Sequence, residues 1–301
     1  MSAEENGFLT GRRLIVFGAG YVGSAVAIAA RERGMEVTAL TRNPEKAAAL
    51  ALAGVRTVVA DLSSSEWHAQ LTPDTDFILN CVSSGGGGLE GYRKSYVDGL
   101  HSILDWARSA SSPGMLVYTG STSVYPQDGG VRVGEEASTT ESTGSARILL
   151  EAEDLVRTWA GRWFVLRLAG IYGPGRHHLL DQLRAGADTL AGRGEHHLNL
   201  IHRDDIVAAI LAAFRAPTHV PSGIFNVADD GAAPKATLVK WIATHLGRPE
   251  PAFSGEPVTG RRRVTPDRVI ANDRIKRVLG WQARYPTFRE GYAAFLANPP
   301  A

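Results

Sequence analysis

Between Arg13 and Leu168 short apolar runs alternate with stretches of helix length. The runs are Leu14 to Phe17, Val37 to Leu40, Val55 to Val59, Phe77 to Val82, Leu116 to Tyr118 and Phe164 to Leu168. Strands with no polar alternation are buried on both faces, so the pattern predicts a parallel sheet covered by helices on either side. Three intervening helices carry their own boundaries. Ser24 to Arg33 ends at Gly34, Pro44 opens a helix through Leu52 before Gly54, and Leu100 to Ala110 stops before Pro113. A fourth, Ala146 to Ala160, places Ile148, Leu149, Ala152, Leu155, Val156 and Trp159 at helical spacing, one apolar stripe to face the sheet. The expected architecture is doubly wound α/β.

After Tyr172 the texture shifts to Gly, His, Arg and Pro. A helix is expected at Ile206 to Arg215, a short strand at Ile224 to Val227, a helix at Ala236 to Leu246, and short helical stretches around Asn272 to Leu279 and Phe288 to Leu296. The chain therefore divides into a first domain over 1–170 and a smaller lobe over 171–301, some of whose segments return to the first domain. No internal repeat is present, and the one low-complexity tract, Gly85 to Gly88, is short enough for a turn beside a site.

Composition narrows the function. With 301 residues, 44% hydrophobic and 21% charged, the chain can bury a core, and 32 Lys and Arg against 31 Asp and Glu leave a net charge of +1. That balance provides no broad positive field for nucleic acid or an anionic membrane. A single cysteine, Cys81, excludes an internal disulfide framework and a cysteine-based zinc site and fits a reducing compartment. The acidic start, Met-Ser-Ala-Glu-Glu-Asn-Gly, is unlike a secretory signal, and no apolar run reaches the ~18 residues that span a bilayer. The expected location is the cytoplasm.

Gly18-Ala19-Gly20-Tyr21-Val22-Gly23 places G-x-G-x-x-G between a predicted strand and a predicted helix. Gly18 suits the tight turn, Gly20 lets the backbone approach a diphosphate, and Gly23 lets the helix pack close to the strand, with the helix amides facing the phosphates. These residues point to a dinucleotide. The second strand ends in Thr41-Arg42-Asn43, where a reader of the NAD ribose hydroxyl carries an acid. Arg42 there favours the 2′-phosphate of NADP over NAD, the alternative being a solvated loop arginine. Asp61, closing the third strand, has two readings: an acceptor for the adenine amino group, or a turn cap.

Val16 to Gly23, Asp61-Leu62, Tyr118 to Tyr125, Val165 to Gly175, Ile201 to Ile206, Phe225 to Val227 and Leu279-Gly280-Trp281 occur in one order along nearly the whole chain. Together they resemble the extended short-chain dehydrogenase/reductases, the NAD-dependent epimerase/dehydratase group. The resemblance implies a Rossmann domain with a smaller C-terminal α/β substrate lobe, and often nucleotide-sugar substrates. It implies a loop from Val82 to Gly85 running under the cofactor, with Cys81, Val82 and Ser83 at the cofactor and Ser84 at the substrate. It also implies a homodimer through the helices beginning near Leu100 and Ala146.

The family's chemistry uses a Ser or Thr after the fifth strand and Tyr-x-x-x-Lys on the next helix. Ser121 matches the serine, but Thr143 stands at the tyrosine position and Arg147 at the lysine position. An aliphatic hydroxyl cannot exchange a proton near neutral pH as a phenol does. Phe17 also replaces the first glycine of the usual extended motif. Both departures resemble an atypical branch without the active-site tyrosine. Tyr125 is the nearest phenol in sequence and the candidate substitute acid or, alternatively, a pocket wall. Arg147 is suited to orienting an anion or a ribose, and Glu135 and Glu136 are either a base or solvated. Cys81, at the end of the fourth strand, reads as a packed residue.

Tyr172, Arg176 and Arg262, the last within the run Arg261 to Arg263, are candidates for the substrate mouth, where arginines would suit an anionic substrate, the alternative and commoner explanation being a solvated arginine run. The pairs His177-His178 and His196-His197 lack recognised ligand spacing, and no metal is expected. The sequence thus points to an NADP-dependent oxidoreductase or epimerase/dehydratase-like enzyme acting on a hydroxyl or keto group. The alternative is a dinucleotide-binding sensor without turnover.

Overall fold

The computed structural model describes residues 7–255 and 266–297. Seven parallel strands form one central sheet. In chain order they are β1 (Arg13–Phe17), β2 (Glu36–Thr41), β3 (Arg56–Val59), β4 (Phe77–Asn80), β5 (Met115–Ser121), β6 (Trp163–Leu168) and β7 (Gly223–Val227). Their spatial order is β3-β2-β1-β4-β5-β6-β7. The order reverses between β1 and β4, the switch point at which a doubly wound sheet opens a crevice beyond its strand ends.

Alternation along each strand supplies two cores. Leu14, Val16, Leu79, Val117 and Leu166 face α1 (Tyr21–Glu32), α2 (Pro44–Leu52) and α5 (Arg203–Phe214). Ile15, Phe17, Ile78, Leu116, Tyr118 and Val165 face α3 (Gly99–Ala107) and α4 (Ser145–Arg157). Phe17 sits edge-on to both Trp67 and Trp106, with centroids 5.1 and 5.5 Å away. Each such large buried side chain contributes about 1.5–3 kcal/mol.

The six strands expected from the apolar runs are present. Phe77 to Val82 is shorter than expected, because the Asn80 Oδ1 accepts from Val82 N at 3.0 Å and turns the chain out of β4. The strand expected at Ile224 to Val227 is the seventh of the central sheet, paired to β6, and the helix expected at Ile206 to Arg215 is α5 on its face. The change of texture after Tyr172 marks inserted loops, while Ile206, Ile210, Phe214, Phe225 and Val227 are as buried as the earlier strands.

A third apolar cluster, drawn from the chain after residue 170 and separate from the two sheet cores, holds Tyr172, Leu180, Leu183, Leu190, Leu238, Val239, Ile242, Phe288 and Tyr292, the part of the chain expected to form the lobe. Beside it lies Asp229, 4% exposed, whose Oδ1 accepts from Gly231 N at 3.0 Å and whose Oδ2 has no partner among the described residues. Burial, with further pushes from Asp230, Asp205 and Glu290, raises its carboxyl to about 8. The folded state thus favours the protonated acid. Its contribution to stability is full below the unfolded value of about 3.9 and is lost as pH rises through about 8. Asp229→Asn is expected to melt near wild type at pH 5 and several degrees above it at pH 9. Parallel melting curves for the two proteins across that range would contradict this. Among the described residues no helix is long and apolar enough to cross a membrane.

Candidate functional site

The chain leaves β1 at Phe17 and turns at once. Gly18 takes φ +82°, and a Cβ there would come 2.6 Å from Val82 N, so only glycine lets β1 and the loop after β4 meet. The Gly18 and Ala19 amides both donate to Leu40 O at 3.2 Å, which fixes the turn to β2. Gly23, one turn into α1, would place a Cβ 2.4 Å from Gly18 O. Gly20 differs: a Cβ would meet nothing closer than Gly18 O at 3.9 Å, so the space above it is open. The first amides of α1 have no intrahelical acceptors and carry the positive end of its dipole.

A pocket of about 410 Å³ adjoins this turn, lined by Gly18, Ala19, Gly20, Leu40, Thr41, Arg42, Asn43, Pro44, Lys46, Ala60, Asp61, Leu62, Ser63, Cys81, Val82, Ser83, Gly85, Lys94 and Ser95. The structure thus brings Gly18, Gly20, Arg42, Asp61, Cys81, Val82 and Ser83 together around one cavity. An open crest over Gly20, a helix N-terminus and a cavity of this size fit a dinucleotide. Val22 and Gly23 lie beneath the turn and support it without lining the pocket. Tyr21 leaves it toward the lobe, its hydroxyl donating to Pro174 O at 3.0 Å.

The end of the pocket beside β2 is basic. Arg42 is exposed, with Nη1 3.6 Å from Asp61 Oδ2. Asp61 also accepts from Ser63 N at 2.9 Å, and that hydrogen bond leads the effects that hold its carboxyl below the usual range. It therefore caps a turn and lines the pocket at once. Two cations were not anticipated. Lys46 stands in the first turn of α2, whose cap Asn43 accepts from the Lys46 amide at 2.8 Å, and Lys94 opens a π-helical turn, Lys94–Asp98. The Asn-Pro start of α2 was a signal for the first; no sequence signal marks the second.

Ser121, at the end of β5, does not line this pocket; its Oγ donates to Ser123 Oγ at 2.9 Å and accepts from Ser123 N at 3.2 Å. Cys81 is partly buried, and desolvation pushes its thiol up to about 12, which removes it as a nucleophile. Thr143 and Arg147 are both exposed, and Thr143 precedes the cap Gly144, outside α4.

Two expectations, for Tyr125 and Tyr172, are corrected. Tyr125 is 1% exposed, donates to Asn226 Oδ1 and accepts from Arg167 Nη1, both at 2.8 Å, so its phenol is spent in the core and does not reach a substrate. Burial raises it above the usual phenol range. Tyr172 is 3% exposed and stacks on Tyr292 in the lobe core, with centroids 5.2 Å apart. It supports the lobe and is closed to a ligand. Ser84 bonds Gly86, its Oγ donating to Gly86 O at 3.1 Å and accepting from Gly86 N at 3.2 Å, and so shapes the glycine loop. Arg176 is exposed and stands over the Tyr21 ring. Arg262 lies outside the described residues. Glu135 accepts from Asn226 N at 2.8 Å and Glu136 pairs with Arg274 at 2.8 Å. Among the described residues no group of three His, Cys, Asp or Glu could hold a metal; His177 pairs with Asp181 and His197 with Asp267.

A doubly wound sheet with a glycine turn at its switch point defines the Rossmann class of dinucleotide-binding proteins. Residues 14–228 match the NAD dependent epimerase/dehydratase family model, and the chain belongs to that family. Among curated proteins it is 27% identical over 282 residues to Protein YeeZ of Escherichia coli (strain K12), covering 91% of this chain and 97% of that one. It is 26% identical over 316 residues to a 3-diazoavenalumate denitrifying reductase of a Streptomyces species, covering 93% and 98%. A solved structure from Methylobacillus flagellatus, provisionally assigned as an NAD-dependent epimerase/dehydratase, superposes with a TM-score of 0.74 at 28% identity, covering 95% and 98%.

Proposed function

We propose that this protein is an NADP-dependent oxidoreductase acting on a hydroxyl or keto group of a small substrate, nucleotide sugars being one class to test. In this reading residues 1–170 hold the cofactor and the part after 170 mainly holds the substrate. The observation that carries it is the charge around the pocket: Arg42, Lys46 and Lys94 against the one acid Asp61. A ribose 2′-hydroxyl needs an acceptor at the end of β2, whereas a 2′-phosphate needs cations, and Arg42 with Lys46 supplies them.

When bound, the nicotinamide supplies or accepts a hydride at the C-terminal edge of the sheet. The chain's part is to position it and to manage the reacting oxygen. Ser121 can donate a hydrogen bond to that oxygen by releasing Ser123, and the proton that completes a reduction comes from solvent. The positions of the family's tyrosine and lysine hold Thr143 and Arg147, which favours one-way reduction over epimerisation, where a proton must be both taken and returned. That one similar protein is by name a reductase supports the same choice. The helices expected to form a homodimer, α3 and α4, remain its proposed interface.

A second reading, a dinucleotide sensor without turnover, is favoured by the sequestration of Tyr125 alone. The two part in one experiment: incubation with NADPH or NADH and a panel of carbonyl compounds and nucleotide sugars, following nicotinamide absorbance. The enzyme reading expects oxidation with at least one substrate and faster with NADPH. Tight NADPH binding with no oxidation across the panel favours the sensor.

A further inference from the structure

The chain after the strand Gly170–Tyr172 closes a tight turn, in which Gly173 N donates to Arg176 O at 3.2 Å and Arg176 N to Gly173 O at 2.9 Å. Tyr21, the first residue of α1, fastens this lobe turn to the glycine turn of the sheet. Its hydroxyl holds Pro174 O, and the Arg176 guanidinium carbon lies 5.6 Å from its ring centroid. The approach is close enough to demand glycine on the lobe side: Gly173 has φ +151°, and a Cβ there would lie 2.7 Å from the Tyr21 hydroxyl. A second guanidinium, Arg203, lies 5.4 Å from the same ring, but it is engaged by Asp204 Oδ1 at 2.9 and 3.0 Å. Arg176 has no carboxylate in ion-pair range among the described residues.

We propose that Arg176 binds the diphosphate of the dinucleotide, delivered from the second lobe by the Gly173–Arg176 turn and aimed by Tyr21. The inference rests on the dinucleotide reading above. A phenol ring face holds a guanidinium in place without neutralising it, so the charge stays available to an anion. The amides of α1 begin at the residue on which Arg176 stacks, and they supply one side of an anion site. The guanidinium fork supplies the other and matches two phosphate oxygens. The sequence-based expectation put Arg176 on the substrate; this proposal assigns it to the cofactor instead, because the ring it stands over belongs to the first residue of α1, next to Gly20 on the pocket wall. Cofactor binding would then tie the lobe to the sheet.

The test is calorimetric titration of wild type and Arg176→Gln with NADPH and with adenosine 2′-phosphate, which has the adenosine end but no diphosphate. The expected result is about a tenfold or greater loss of NADPH affinity with adenosine 2′-phosphate binding unchanged. Equal NADPH affinity in the two proteins overturns the proposal and leaves the cofactor reading standing. Equal loss for both ligands also overturns it, since a diphosphate contact cannot act on the fragment. Failure of wild type to bind NADPH or NADH removes the dinucleotide reading and the proposal with it. A melting curve of Arg176→Gln matching wild type separates lost contact from lost fold.

Discussion

Glu153→Ala is expected to destabilise the protein by about 3–5 kcal/mol, because it strands a buried guanidinium. Glu153 on α4 is 1% exposed and Arg167 on β6 is 3% exposed, and they form two hydrogen bonds, Nε to Oε1 at 2.9 Å and Nη2 to Oε2 at 2.6 Å. Arginine does not discharge to relieve the strain of burial, so the variant must hydrate Arg167 or expose it. The damage would spread. Arg167 also donates to Tyr125, Tyr125 to Asn226, and Asn226 Nδ2 to Ala271 O at 3.0 Å, a chain joining α4 and β6 to β7 and the lobe. It also runs under the site, since a Cβ on Gly120, next to Ser121, would lie 3.3 Å from Glu153 Oε1. Urea unfolding measures the effect; Glu153→Gln, which keeps the shape and one acceptor, is expected to lose less. A loss under about 1 kcal/mol for the alanine variant would contradict a buried, interdependent pair.

Gly23→Ala and Gly20→Ala are expected to fail in different ways. At Gly23 the added carbon meets backbone, Gly18 O at 2.4 Å and Gly18 C at 3.2 Å, so α1 must move off the turn. Both stability and dinucleotide affinity should fall, the affinity by about a hundredfold, equivalent to roughly 3 kcal/mol. At Gly20 the same carbon enters open space, although φ −89° with ψ −147° lies outside the usual β and α regions and costs an L-residue some backbone strain. Gly20→Ala should lose much less stability than Gly23→Ala and still lose affinity, because the carbon would stand where the proposed diphosphate approaches. Melting curves and NADPH titrations on both variants check this. A Gly20→Ala protein that binds as wild type would mean that no ligand backbone comes close there.

The sheet was legible because its strands are apolar on both faces and its glycines sit at a strand-helix junction. The glycine turn was legible for the same local reason. The strand at Ile224 to Val227 was legible but its place was not, because it lies among loop residues and only its pairing to β6 puts it in the central sheet. The buried ion pair carried a signal that went unused. Glu153 falls inside the apolar stripe of α4, between Leu149 and Val156, and Arg167 interrupts Phe164-Val165-Leu166 and Leu168. Opposite charges on two inward faces require each other. Tyr125 was misread because proximity to Ser121 in sequence says nothing of direction. The chain leaves β5 through Thr122–Val124, and Tyr125 turns back into the core. Tyr21 and the Pro174 carbonyl that it holds lie 153 positions apart in sequence, and no local pattern joins Tyr21 to the turn that carries Arg176.

The most direct test of an NADP site beside this turn is calorimetric titration of wild type and Arg42→Glu with NADPH and NADH. Arg42 and Asp61 are 3.6 Å apart at the pocket edge, so the variant sets a second carboxylate where the 2′-phosphate would lie. One lost charged hydrogen bond plus the new repulsion is worth about 3 kcal/mol, or roughly a hundredfold. The account predicts that wild type prefers NADPH and that Arg42→Glu loses about that factor for NADPH while NADH changes little. Wild type that binds NADH as tightly as NADPH, with Arg42→Glu indifferent to either, would contradict it.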